Sequence, residues 1–217
     1  NNLLFIQIIY HFSKQMFFLL MKKFNIVILQ RVIPSYRESL FNKISKLSRI
    51  NLKVLYGEDI PNTKIKSNFS NNVQFKSLKH KSSSIYFLNF LFIWHHGLLR
   101  SLINCKPDLI IAEGESNIFS YLKAYIYKIF FKETKLIHWS YGGLPESRKN
   151  YFKKFLKTNL LKIFNGFIVY SNYGKKVLLK SYNIEEEKIF VALNISQVDK
   201  LIELKKHSKV HKKFINI

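Results

Sequence analysis

The tightest constraint on this chain is Leu109-Ile110-Ile111-Ala112, four apolar residues without alternation, which open after Pro107-Asp108 and close into Glu113-Gly114-Glu115-Ser116. A strand that is apolar on both faces belongs in a parallel sheet covered by helices. The polar turn then leaves the sheet at its carboxyl edge. There α/β proteins bind ligands, because the strand-to-helix loops are rigidly held at their roots yet free to vary.

Runs of the same kind recur at Phe24–Leu29, Leu52–Tyr56, Lys135–Trp139, Phe167–Tyr170 and Ile189–Leu193. Helical spacing lies between them. Ser35 and Glu38 form an S-x-x-E pair that predicts a capping box, with Leu40, Ile44 and Leu47 following on one face. Asn117–Phe131, Tyr151–Phe164 and Ser171–Ser181 also read as helices, the second closed by Asn165-Gly166. Strand and helix in alternation predict an α/β, doubly wound, mainly parallel, Rossmann-like sheet with helices on both faces. Two stretches interrupt the pattern. Residues 61–84, rich in Asn, Ser and Lys, read as a mobile surface excursion with one strand, Val73–Leu78. Ile85–Ile103 is strongly apolar, but Asn89, His95, His96, Gly97 and Arg100 argue against a bilayer span and for a helix buried against the sheet.

Residues 1–20 are apolar but broken by Gln7, His11, Ser13, Lys14 and Gln15, so no clean run reaches the roughly 20 residues of a membrane span. They also lack the basic start and small-residue cleavage site of a signal peptide. The folded unit is expected over 21–195, with 196–217 a lysine-rich linker and a further strand. Apolar residues at 47% exclude a disordered chain. Cys105 is the single cysteine, which excludes an internal disulfide and fits a reducing compartment. His95 and His96 are adjacent and have no second ligand pair at a useful spacing, so they read as helix residues and no metal is expected.

Charge narrows the partners. Lys and Arg number 36 against 13 acidic residues, a formal charge of +23. Such a chain is drawn to polyanions, unless the lysines are merely a solvated surface. They are scattered, without an Arg-rich recognition helix or interleaved RNP-type aromatics, so no nucleic acid is expected and an anionic membrane face is.

Four stretches, in order, resemble the amino-terminal, acceptor-binding half of a GT-B glycosyltransferase of the family 4 type. They are RVIPSYRESLFNKIS with LKVLYGE, PDLIIAEGES, KLIHWSYGGLP, and NGFIVYSNYGKKVLLKSYNIEEEKIFVALN, and the likeness covers about residues 22–217. It implies a retaining enzyme that passes sugar from a nucleotide-sugar donor to a glycan or lipid-linked acceptor. The product would be cell-surface polysaccharide or glycolipid, made by a cytoplasmic, peripheral protein at the inner membrane face. No cofactor or metal is implied. The family's paired-glutamate donor motif lies beyond Ile217, so this chain alone is expected to be incomplete and inactive. A fragment, a truncated gene and a split enzyme with its donor domain on another chain all stay open.

The resemblance also singles out residues. Catalytic candidates are Glu113, His138 and Tyr141. The family commonly carries a histidine where this sequence has Tyr141, and that departure leaves the catalytic partner unassigned. His138 either faces the cleft or is buried. Arg31, Tyr36 and Arg37 are placed to grip an anionic acceptor such as a lipid-linked diphosphate, or else form an ordinary first helical turn. Glu113, Gly114 and Glu115 either bind acceptor hydroxyls, with a carboxylate as base, or cap the next helix. Tyr141, Gly142 and Gly143 form a loop able to wrap sugar or phosphate, or a plain tight turn. Ser171 and Asn172 bind ligand or cap a helix.

Overall fold

The computed structural model describes residues 23–59, 66–70, 72–87, 90–114, 118–142 and 158–192, together with Gln7. The strands are β1 (Phe24–Gln30), β2 (Ile50–Gly57), β3 (Lys76–His80), β4 (Ser82–Phe87), β5 (Phe90–His95), β6 (Leu109–Glu113), β7 (Lys135–Ser140), β8 (Gly166–Val169) and β9 (Ile189–Val191). The helices are α1 (Glu38–Ser45), α2 (Leu98–Cys105), α3 (Ile118–Phe130) and α4 (Asn172–Tyr182). Seven strands make one parallel sheet in the order β3-β2-β1-β6-β7-β8-β9, while β4 and β5 pair antiparallel on their own. The expected Rossmann-like α/β sheet is what forms.

The unbroken apolar runs have a direct structural reason. In β1, Ile26 and Ile28 join Phe41 and Ile44 of α1 on one face, while Val27 and Leu29 join the residues of α2, α3 and α4 on the other. In β6, Leu109 and Ile111 go to the first face, Ile110 and Ala112 to the second. Each of the Val, Leu, Ile and Phe side chains among them, fully buried, contributes roughly 1.5–3 kcal/mol, so a polar residue in either register would be costly. Two helix ends follow their sequence signals. The Ser171 hydroxyl accepts from the Gly174 N–H at 3.1 Å to start α4, and Lys106, at φ +45, ends α2 just before Pro107.

Several expectations are corrected. Ser35 and Glu38 form no capping box: Ser35–Arg37 is a 3-10 turn, α1 begins at Glu38, and neither start has a side-chain cap. The Glu38 carboxylate instead accepts from the Ser70 N–H and hydroxyl at 3.0 and 2.8 Å, two donors that a local box cannot match once residues 66–70 pass close by. That same segment is no loose excursion. Phe69 and Phe75 pack against Tyr56 and Phe41, and the strand lies at Lys76–His80 rather than Val73–Leu78.

The largest correction concerns Ile85–Ile103. It is not one helix but strands β4 and β5 followed by α2, so His95 lies on a strand and His96 in a turn. The burial alternates as a strand requires, with Ile93 and His95 buried and Trp94 43% exposed between them. Asn165-Gly166 is likewise no helix cap. Gly166 opens β8, and the Asn165 side chain accepts from the Leu136 N–H at 2.9 Å and Lys128 Nζ at 2.6 Å. Residues 1–6 and 8–20, positions 151–157 of the helix predicted over Tyr151–Phe164, residues 196–217, Glu115 and Gly143 lie outside the described residues. Among the described residues no helix is long and apolar enough to cross a membrane.

Candidate functional site

Where strand order reverses in an open parallel sheet, the loops on either side diverge and leave a crevice at the carboxyl edge. The reversal here lies between β1 and β6, which pair from Ile26↔Leu109 to Leu29↔Ala112. Gln30-Arg31 and Glu113-Gly114 therefore flank it. The Glu113 carboxylate closes the gap: one oxygen accepts from the Arg31 N–H at 3.0 Å, and the other pairs with Arg37 Nη1 at 2.8 Å.

Arg37 is the centre of this arrangement. It is 3% exposed, donates to Gln30 Oε1, and donates through Nη2 to the Tyr170 hydroxyl at 2.8 Å. Its guanidinium carbon lies 4.2 Å from the Trp139 ring centroid and 5.6 Å from that of Tyr36. Burial pulls its pKa down, but the Glu113 carboxylate, with Tyr170 and Tyr36, outweighs this and holds it above the ordinary value. Burial also pushes the Tyr170 phenol well above its ordinary range, against the opposing pull of Arg37. One permanently charged guanidinium thus ties together the ends of β1, β6, β7 and β8. Arg31 and Tyr36 stay half-buried beside it.

The β7 exit forms the second wall. Gly114 donates to the Trp139 carbonyl at 2.6 Å, and a Cβ on Gly114 would come within 2.3 Å of Ser140 Cβ. Gly142, at φ +85, lies so close to α4 that its Cβ would fall 2.6 Å from the Gly174 carbonyl oxygen. A side chain on Gly174 would in turn strike the Tyr141 carbonyl at 2.2 Å. The two glycines let the turn rest directly on the first turn of α4. Tyr141 is 63% exposed, its ring edge-on to Tyr170 at 4.8 Å. Ser171 is occupied as the cap of α4, and Asn172 is exposed on its first turn.

His138 takes the buried of its two placements. Its ring packs against Tyr121, Phe164 and Phe167, and its Nδ1 lies 3.0 Å from the Ser140 hydroxyl. It therefore faces α3, while its neighbour Trp139 faces Arg37. Arg31, Tyr36, Glu113, Gly114, Tyr141 and Gly142 are brought to one edge; Arg37 is brought there too, but as interior scaffold. Gln30, Trp139, Tyr170 and Gly174 also shape the site, and sequence reasoning did not select them. A polar Gln30 at the end of an apolar strand was the one visible signal. Among the described residues no group of His, Cys, Asp and Glu is placed to hold a metal ion.

No family model matches the chain, and no curated protein does. Solved structures do. A protein from Listeria monocytogenes assigned as a UDP-N-acetylglucosamine 2-epimerase matches with a TM-score of 0.52 at 15% identity, over 79% of this chain and 45% of its own. A glycosyltransferase from Rickettsia africae matches with a TM-score of 0.51 at 14% identity, over 86% and 49%. The lipopolysaccharide outer core galactosyltransferase WaaB, in apo form, matches with a TM-score of 0.51 at 12% identity, over 78% and 45%. This chain spans about half the length of each. The shared feature is the fold, one Rossmann-like half of a GT-B architecture.

Proposed function

We propose that this chain is the acceptor-binding half of a retaining GT-B glycosyltransferase of the family 4 type, which takes sugar from a nucleotide-sugar donor to a glycan or lipid-linked acceptor. The observation that carries this reading is the crevice between β1 and β6, where Arg31, Tyr36, Glu113, Tyr141 and Gly142 share one edge around a braced Arg37. The GT-B fold and the order of the four sequence stretches support it.

The transition state of glycosyl transfer is oxocarbenium-like, so the protein must align the acceptor hydroxyl with the anomeric carbon and stabilise the departing phosphate. In this reading Arg31 and Tyr36 face the acceptor, and Tyr141 with Gly142 meets the donor sugar. Glu113 acts as a positioning residue, because both its oxygens are engaged in holding Arg31 and Arg37. The departing phosphate is met by a facing nucleotide-binding domain, and no metal is required. The protein works at the cytoplasmic face of an anionic membrane, making cell-surface polysaccharide or glycolipid.

The test is binding of this chain to a glycan array and to lipid-linked diphosphate sugars. Saturable binding is expected, weakened at least tenfold, about 1.4 kcal/mol, by Arg31→Ala or Tyr36→Ala. No binding, or binding unchanged in both variants, overturns the reading. The epimerase-like fold neighbour supports a second reading, in which a UDP-sugar is itself the substrate. It predicts UDP-sugar binding with no glycan retained. A non-catalytic partner module, favoured by the mutual engagement of Arg37 and Glu113, predicts neither.

A further inference from the structure

We infer that the β4–β5 hairpin and the outer face of α3 form the surface by which this protein docks onto an anionic lipid bilayer. An open, almost wholly apolar groove of about 650 Å³ lies there, lined by Ser83, Ile85, Phe92, Trp94, His96 and Phe119. Its rings are ordered: Phe119 lies 6.0 Å from Phe92 and 5.1 Å from Trp94. Lys123 holds Trp94 in place, donating to the His95 carbonyl with its ammonium 4.0 Å from the indole centroid.

The apolar surface does not stop at the groove. Ile126 and Phe130 follow Phe119 by seven and eleven residues, spacings that return to one helix face, and they carry the stripe about 16 Å further. Ile85 is 69% exposed and Phe130 77%, with Trp94 at 43% and Ile126 at 40%. A contiguous apolar surface of this kind calls for an occupant.

Charge says which occupant. Between Asp59 and Asp108 there is no acidic residue, and α3 has none either. The same region exposes Lys76, Lys79, Lys81 and Arg100. An apolar stripe on a predominantly basic flank, with Glu58 bonded to the Ser82 N–H at 3.2 Å at one end and Glu133 just past α3 at the other, complements an anionic headgroup layer, with Trp94 suited to the interface and the lysines to the lipid phosphates. A nucleic acid would account for the lysines but not for Ile85 and Phe130. The placement also suits the crevice. A Cβ on Gly57 would lie 2.1 Å from the His95 ring, and the Gly57 N–H donates to the Arg31 carbonyl at 3.0 Å, so the hairpin root adjoins the β1 exit. Docking on this flank brings the crevice down to headgroup level.

The inference deepens the membrane-facing part of the proposed function and is independent of sugar transfer. The experiment is co-sedimentation of the chain with vesicles of phosphatidylcholine, with and without one quarter phosphatidylglycerol. Binding is expected to the anionic vesicles and to weaken as NaCl is raised. Because Trp139 is only 3% exposed, quenching of tryptophan emission by brominated lipid reports Trp94 entering the bilayer. The double variant Ile85→Ser with Phe130→Ser, checked for an unchanged circular dichroism spectrum, is expected to bind at least tenfold more weakly. Failure to bind anionic vesicles, bound protein whose tryptophan is not quenched, or a folded double variant that binds like the parent each overturns the inference. If the double variant misfolds, quenching in the parent decides. Since these vesicles contain neither sugar donor nor glycan acceptor, failure here leaves the transferase reading standing, and failure on the glycan array leaves this one standing.

Discussion

Arg37 is the residue on which the crevice depends, and its neighbours say what its loss would do. Removing one partner of a buried ion pair strands the other, at a cost of about 3–5 kcal/mol. Glu113 keeps 21% exposure, so water partly relieves it, and Arg37→Met is expected at the low end, about 3 kcal/mol. Glu113→Gln leaves a 3%-exposed guanidinium with no carboxylate, and should cost at least as much. If the two act as one unit, the double variant costs less than the two single changes together, by about 1–3 kcal/mol in a urea-denaturation cycle. Strict additivity would show that Gln30 and Tyr170, not Glu113, satisfy Arg37. At this scale the site was only half legible. Arg31, Glu113, Tyr141 and Gly142 stood out because they follow apolar strands directly, and the carboxyl edge gathers strand ends. The Arg37 to Tyr170 bond spans 133 residues, and no local pattern announces it. Nor does local spacing say which face of β7 takes His138 and which takes Trp139.

Among the elements, the hairpin shows where sequence reading fails and why. The parallel strands were visible because burial on both faces demands unbroken apolar runs. The stretch from Ile85 to Trp94 is just as apolar, and Leu88-Asn89 lacks the glycine that marks a tight hairpin turn. A long apolar run without punctuation reads as helix. What makes the strands is a polar inner seam that no periodicity shows: Ser82 Oγ lies 2.8 Å from His95 Nδ1 and accepts from the Glu58 N–H at 3.0 Å, while His80 Nδ1 lies 2.8 Å from the His96 carbonyl. This seam makes a pH dependence. Burial first, then the positive surroundings of His80, Lys123, Arg31 and His96, lower the His95 pKa from 6.5 to about 4. His80 shifts the same way, chiefly by burial. Below about 6.5 the unfolded chain takes up a proton that the folded hairpin refuses. Stability is therefore complete above that pH and falls as the pH drops towards 4. Between about pH 7 and pH 5, a range chosen to stay above most carboxylate titration, the His95 contribution is about 2 kcal/mol. A urea midpoint that falls over this range in the parent, and falls much less in His95→Gln, is the expected result. An unchanged slope in the variant would assign the effect elsewhere.

For the molecule as a whole, the dominant electrostatic fact is excess charge rather than pairing. With 36 Lys and Arg against 13 acidic residues, a formal charge of +23, most of the basic side chains have no carboxylate of their own. Compaction brings them closer, so self-repulsion opposes the folded state. The exposed pairs Lys175–Glu186 and Lys188–Glu185 act in the other direction, but such pairs contribute only about 0–1 kcal/mol each. The buried Arg37–Glu113 pair is largely shielded from salt by its position. Screening should therefore remove more repulsion than attraction. Raising NaCl from about 20 mM to about 300 mM shortens the Debye length from roughly 20 Å to under 10 Å, which separates neighbouring lysines electrostatically while leaving contact pairs partly intact. The expected outcome is a rise in the thermal midpoint of several degrees, equal for chloride salts of different cations. A fall would mean that surface pairs hold the fold together. A rise that appeared with sulfate but not with chloride would point instead to strengthened apolar burial. On the docking inferred above, the same screening that stabilises the isolated fold weakens binding to an anionic bilayer. Stability and vesicle binding should therefore move in opposite directions along one salt series, which a single titration can follow.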